Sequence, residues 1–216
     1  MSQSTFTILL GGELRLTDRL RAAISGSRFI AADGGMRHAA ALGITPELWV
    51  GDFDSTSPDL DSAFPEVLKQ PYPAAKAATD GEIAVSEAID RGAKRLILAG
   101  ALGGPRSDHA LQHLLYAVSL AELGFDMLLT SGEEEAVPLL AGEIELDLPA
   151  GSLFSVPGFS ELKGLFIHNA RYPLMDFHLP FGSSRTISNV AEGPVRFSLA
   201  SGRAIILARP YDLSGV

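Results

Sequence analysis

The first roughly 130 residues alternate short apolar runs with segments of helical period, and this alternation confines the chain to βαβ units on a largely parallel sheet. Strands are predicted at Phe6 to Leu10, Arg28 to Ala32, Glu47 to Val50, Arg95 to Ala99 and Phe125 to Thr130. Helices are predicted between them at LTDRLRAAIS, MRHAAAL, DGEIAVSEAIDR and SDHALQHLLYAVSLAEL. Each helix is followed by a glycine, the residue best suited to a left-handed cap. After about residue 135 the period changes to that of half-buried strands. Ile144, Leu146 and Leu148 alternate with acidic residues, and Val195, Phe197 and Leu199 alternate with polar ones. The turn signals PAG, PG, EGP and ASG punctuate these runs. The expected fold is therefore α/β over residues 1–135, followed by an all-β sandwich over residues 136–216.

A chain of 216 residues with 46% hydrophobic side chains has enough apolar material for one large core or two modest ones. It has no cysteine, which excludes disulfides, thiolate metal sites and a thiol nucleophile. The N-terminal MSQSTFTILL lacks a basic region and an apolar core of signal-peptide length, and no later run is long enough to span a bilayer. A cytoplasmic protein without membrane contact is expected. The net charge of −9 comes with no Lys/Arg cluster, which argues against nucleic acid and for small ligands. Any polyanionic ligand then needs a metal ion or a few placed cations.

Ligands of open α/β sheets gather beyond the carboxyl ends of the strands. Three predicted strands end in suitable loops, at Gly11-Gly12, at Asp33-Gly34-Gly35 and at Gly51-Asp52-Phe53-Asp54-Ser55. In an extended segment Asp52 and Asp54 point the same way and present two carboxylates to one hard cation, while Phe53 turns into the core. The same residues also suit a solvated turn. Thr79 and Glu82 have capping-box spacing, with Asp80 in the first turn of the helix. That arrangement needs no ligand, yet it also places Asp80 to complete a carboxylate cluster and Lys76 to meet phosphate. GALGGPRSDH, residues 100–109, leaves a strand and enters a helix with Ser107 as the expected N-cap, a combination suited to phosphate. His109 and His113 lie one helical turn apart, but no third ligand accompanies them.

Taken in order, DGG, LG-I-TP-ELWV-GDFDS, K-x-x-TD-x-E and G-x-x-GG-x-R-x-DH resemble the motifs of the thiamine pyrophosphokinase family. KGL at Lys163, YPL at Tyr172 and ISN at Ile187 extend the resemblance into the β half. The resemblance implies an N-terminal ATP- and magnesium-binding catalytic domain, a C-terminal thiamine-binding sandwich and a homodimer. It implies transfer of pyrophosphate from ATP, the co-substrate, to the hydroxyl of thiamine. By the same analogy Asp52, Asp54 and Asp80 bind Mg2+, and Lys76, Thr79, Arg106, Asp108 and His109 lie on the ATP side. Asp33 or Asp54 orients or deprotonates the hydroxyl. Ser188 and Asn189 contact the aminopyrimidine, and Tyr172 packs on the ring system or in the sandwich core.

The chain departs from the family pattern in several places. Ala77 replaces an expected aspartate, Pro105 is inserted before Arg106, His113 stands where asparagine is common and Val190 where glutamate often follows ISN. Two other readings stand beside this one. Asp52 to Thr56 also fits the DxDxT pattern of aspartate-nucleophile phosphatases, and Ala77 with Pro105 fits a binding protein without turnover.

Overall fold

A computed structural model describes residues 4–54, 58–73 and 77–215. The chain divides into two compact units, one running to Leu111 and including Phe125–Gly132, the other comprising Gln112–Gly124 and the chain from Glu133 onward.

The first unit carries β1 (Thr5–Leu9), β2 (Arg28–Ala32), β3 (Leu48–Gly51), β4 (Leu68–Pro71), β5 (Arg95–Ala99) and β6 (Asp126–Thr130). All five pairings among them are parallel, in the order β4-β3-β2-β1-β5-β6. Phe6, Ile8, Ile30, Leu48, Trp49, Leu96 and Ile97 are fully buried. Such nearly continuous apolar strands are what a parallel sheet covered on both faces requires. β4 has no counterpart among the predicted strands. Its sequence LKQP is polar, its Leu68 is exposed and it ends in proline, all of which suit a sheet edge and hide a strand from a hydrophobic pattern.

Helices α1 (Asp18–Ala23), α2 (His38–Leu42), α3 (Pro58–Ala63), α4 (Asp80–Asp90) and α5 (Ser107–Glu122) occupy the predicted intervals and add α3. Thr17 caps α1 by accepting the Leu20 N–H at 3.2 Å. The segment predicted as one helix from Met36 instead opens with a 3-10 turn over Asp33–Arg37 and becomes α-helical at His38. It ends on Gly43 in the left-handed conformation, and Gly26, Gly92 and Gly124 follow their helices likewise.

From β1 the chain adds β2, β3 and β4 on one side, then returns to the other side of β1 to lay down β5 and β6. The direction of winding thus reverses between β1 and β5. In open α/β sheets that reversal opens a crevice at the strands' carboxyl ends.

The second unit is antiparallel throughout. It contains β7 (Glu135–Leu139), β8 (Gly142–Leu146), β9 (Leu153–Ser155), β10 (Leu162–Ala170), β11 (Leu174–Leu179), β12 (Asn189–Leu199) and β13 (Ala204–Arg209). β13 pairs with β7 and β9. β12 begins beside β9 and continues between β8 and β10, and β11 flanks β10. Val195, Phe197 and Leu199 are buried on alternate positions of β12, as their spacing predicts. Phe197 meets Phe154 edge to face at 5.4 Å. Ile144 and Leu146 pack against this core, whereas Leu148 lies beyond β8 and is buried from a loop.

Candidate active site

Asp33 is the first residue beyond β2 and has φ +43, a conformation that a residue with a side chain adopts at a cost. Two neighbours hold it there. Its carbonyl accepts the indole N–H of Trp49 at 2.9 Å, and Gly51 at the adjacent end of β3 leaves room for its side chain. A Cβ on Gly51 would stand 3.2 Å from Asp33 Cα and 3.4 Å from Oδ1. Asp33 Oδ1 is buried and has no hydrogen-bond partner among the described residues. An unpaired carboxylate oxygen is expensive in a folded chain, and this one lies at the carboxyl end of β2, where ligands of such sheets gather. The second glycine of DGG is used for packing and not for ligand approach. A Cβ on Gly35 would fall 2.1 Å from the Leu9 carbonyl oxygen, so only glycine lets the turn close on β1.

Asp52 and Asp54 are brought together by a turn and not by an extended strand. β3 ends at Gly51, Phe53 has φ +62, and the Asp54 N–H donates to Asp52 Oδ1 at 3.1 Å. Phe53 turns inward as predicted and meets Trp49 edge to face at 5.2 Å. Asp52 is half-buried and Asp54 exposed. Ser55 and Thr56 lie outside the described residues.

The next loop is tied to the same strand end. The Tyr72 N–H donates to the Gly51 carbonyl at 2.9 Å, and its hydroxyl donates to Glu87 Oε1 on α4 at 3.1 Å. Gln70 Nε2 donates to that hydroxyl and to the same carboxylate oxygen. Desolvation and then Glu87 push the Tyr72 phenol above its usual pKa. Lys76 lies outside the described residues. Beyond it the capping box is formed: Thr79 Oγ1 accepts the Glu82 N–H at 3.2 Å, and Glu82 Oε2 accepts the Thr79 N–H at 2.8 Å. Asp80 is the first residue of α4, half-buried beside that cap.

Among the described residues no three His, Asp or Glu side chains stand close enough to enclose a metal ion by themselves. The cluster expected of Asp52, Asp54 and Asp80 is therefore not gathered here: Asp52 and Asp54 share the turn after β3, Asp33 lies at the adjacent end of β2, and Asp80 stands apart on α4. Magnesium binds through one or two carboxylates and completes its shell with substrate phosphate and water, so the Asp52–Asp54 pair fits that ion. His109 and His113 belong to no such group.

At the end of β5 the Gly12 N–H donates to the Gly100 carbonyl at 3.1 Å, and Gly104 approaches Gly12 and Glu13, with 3.8 Å from its absent Cβ to the Glu13 nitrogen. Two glycine-rich loops therefore meet at the reversal point of the sheet. Ser107 is the first helical residue of α5, one place inside the predicted cap. Arg106 folds onto Asp108 in a two-point pair, Nε to Oδ1 at 3.0 Å and Nη2 to Oδ2 at 2.8 Å. These hydrogen bonds hold the Asp108 carboxyl well below the usual carboxylate range and raise Arg106. Both groups are exposed, and an exposed pair is weak enough that Arg106 can exchange Asp108 for phosphate at little cost. His109 is exposed one residue further on.

In the second unit Tyr172, Ser188 and Asn189 are brought together. Asn189 Oδ1 accepts the Tyr172 N–H at 3.1 Å and the Val190 N–H at 2.8 Å, and its Nδ2 donates to the Tyr172 carbonyl at 2.9 Å. The side chain is buried and clamps the Tyr172 backbone, so both oxygen lone pairs and one N–H are spent on the fold. Tyr172 itself is 55% exposed and is not a core aromatic. Ser188 is exposed at φ +59, its N–H held by Ser155 Oγ at 3.0 Å.

The family model described as "Thiamin pyrophosphokinase, catalytic domain" matches residues 22–129, half of the chain. The chain belongs to the thiamin pyrophosphokinase family. A thiamine pyrophosphokinase of Bacillus subtilis is 27% identical over 96% of this chain and 99% of its own length. The crystal structure of a Bacillus subtilis thiamine pyrophosphokinase superposes with a TM-score of 0.84 at 25% identity, covering 97% of this chain and all of that one. A thiamin pyrophosphokinase from Candida albicans shares the fold at 13% identity, with a TM-score of 0.75 over 96% of this chain and 89% of that one. Membership in the thiamin pyrophosphokinase family does not favour the phosphatase reading, and GDFDS follows the third strand, whereas aspartate-nucleophile phosphatases place their motif after the first. Sequence reasoning missed Trp49, Tyr72, Arg37 and His38, each of which holds a loop at the carboxyl ends of the parallel strands. Their contacts are with residues remote in sequence, and no local pattern signals them.

Proposed function

We propose that the chain is a magnesium-dependent thiamine diphosphokinase, which moves the terminal pyrophosphoryl group of ATP to the primary hydroxyl of thiamine. Family membership supports the reaction, and the observation that carries the site is the buried, unpaired Asp33 oxygen beside Asp52 and Asp54 at the carboxyl edge of the sheet. Asp52 and Asp54 would hold Mg2+, with Asp80 the third carboxylate offered from α4, and the ion when bound neutralises charge on the phosphate oxygens. Lys76 and Arg106 supply the cations that a chain of net charge −9 needs in order to accept ATP, with Thr79, Asp108 and His109 on the same side.

Positioning and charge stabilisation carry such a transfer. The thiamine hydroxyl oxygen bonds to the β-phosphorus, the bond from that phosphorus to the α,β-bridging oxygen breaks, and AMP leaves with the electron pair. The hydroxyl proton passes to a carboxylate. Asp33 is better supported than Asp54 for this, because its Oδ1 is buried and unpartnered whereas Asp54 is exposed. For thiamine, the exposed Tyr172 ring and Ser188 are the contact groups, with Asn189 holding Tyr172 in place. The reading extends to a cytoplasmic homodimer. Among the described residues no helix is long and apolar enough to cross a membrane.

AMP release from ATP and Mg2+ with and without thiamine tests the proposal. Thiamine-dependent AMP release is expected, and Asp54→Asn is expected to abolish it while the variant stays folded by circular dichroism. Binding of both ligands without AMP release would mean a binding protein, and near-normal turnover of Asp54→Asn would overturn the metal assignment.

A further inference from the structure

Beyond β1 the loop Gly11-Gly12 contains the two residues that lose most freedom when ordered, so something must hold it. Its amide side is tied to β5, with Leu10 N–H on the Ala99 carbonyl at 2.8 Å and Gly12 N–H on the Gly100 carbonyl at 3.1 Å. Its carbonyls are taken by two consecutive side chains that the family motifs do not include. Arg37 Nη2 donates to the Gly11 carbonyl and, at 3.1 Å, to the Gly12 carbonyl. His38 Nε2 lies 2.9 Å from the Gly12 carbonyl. A carbonyl oxygen only accepts, so His38 contributes an Nε2–H. Burial keeps its imidazole below the ordinary pKa against the raising effect of the Gly12 hydrogen bond, with the Arg37 charge adding to the lowering, and the neutral ring with Nε2–H meets the need.

A phosphate-facing loop must hide its carbonyl oxygens, which repel anions. A Cβ on Gly11 would meet nothing within 4 Å, so that side of the loop is open to a ligand. The clamp also reaches the second glycine-rich loop, because Gly104 rests against Gly12 and Glu13 and precedes Arg106 by two residues. We infer that Arg37 and His38 are positioning residues for the triphosphate of ATP, holding the Gly11 and Gly12 carbonyls away from the phosphates and fixing the loop at the sheet's reversal point. This inference rests on the ATP site proposed above.

The test compares His38→Leu, which keeps bulk but cannot donate, with His38→Gln, which can. Steady-state AMP release gives KM for ATP and for thiamine, and calorimetry with a non-hydrolysable ATP analogue and Mg2+ gives the nucleotide Kd directly. Loss of one hydrogen bond of ordinary strength corresponds to roughly fivefold weaker binding. His38→Leu is expected to raise the ATP KM and the analogue Kd by about that factor, leave the thiamine KM unchanged, and be largely rescued in His38→Gln. An unchanged Kd, equal shifts in both KM values, or no rescue by glutamine would each overturn the inference. Should His38→Leu fail to fold, Arg37→Met at its exposed position carries the same expectation. A wild-type protein that binds no analogue would instead refute the ATP site itself.

Discussion

Gly51→Ala separates the fold from the site at one atom. Gly51 has an ordinary strand conformation, so alanine is allowed there and gains about 0.5–1 kcal/mol by reducing the freedom of the unfolded chain. The added methyl would stand 3.2 Å from Asp33 Cα, 3.3 Å from its Cβ and 3.4 Å from Oδ1, so Asp33 must give way by a few tenths of an ångström. It cannot simply retreat, because the Trp49 N–H holds its carbonyl and its φ of +43 is already strained. Crowding of this kind costs about 1–3 kcal/mol. The two terms partly offset, and the net loss of stability is expected to be about 0–2.5 kcal/mol. Catalysis has no such compensation. If a 1 Å misplacement costs roughly a hundredfold, a shift of a few tenths costs roughly three- to tenfold in kcat. Urea unfolding gives the first number and AMP release under saturating substrates the second. Unchanged kcat in a variant of unchanged or reduced stability would refute the claim that Asp33 must sit where Gly51 and Trp49 place it.

Two further expectations concern other parts of the molecule. Asn189→Ala strands the Tyr172 N–H, the Tyr172 carbonyl and the Val190 N–H, so unfolding free energy should fall by about 2–3 kcal/mol and the thiamine KM should rise with the ATP KM unchanged; equal changes in both would argue against a thiamine site there. His38 has its pKa lowered from the ordinary 6.5 chiefly by burial, which outweighs the opposing Gly12 hydrogen bond, so the unfolded chain takes up the proton before the folded one does. The stability this confers is complete above the unfolded value and is lost as pH falls through the lowered folded value; His38→Gln should therefore show a shallower loss of urea midpoint from about pH 7 to about pH 5, and parallel curves would contradict it.

The order of elements was legible because it is written in period. Runs such as RFIAA and RLILA can only be buried from both faces, and the glycines after Leu42, Arg91 and Leu123 mark where helices stop. The edge strand LKQP escaped because an edge position does not demand apolar residues. The acidic and glycine-rich segments were readable as residue types at strand ends, and Thr79 with Glu82 was readable as a cap because both partners lie within one turn. The extended geometry expected for Asp52 and Asp54 was wrong in form, since the positive φ of Phe53 makes a turn, although its consequence for Phe53 held.

By itself, then, the sequence determined the βαβ alternation, the change to antiparallel strands and the candidate chemistry, because periodicity and local hydrogen bonding act over a few residues. Only the tertiary structure decided that Trp49 and Gly51 set Asp33 with one oxygen buried and unpartnered among the described residues, that Asn189 serves Tyr172, and that Arg37 and His38 hold the Gly11-Gly12 carbonyls. Each of those contacts joins residues 16 or more apart in the chain. Strand order and register set such distances, and no short window of sequence encodes them.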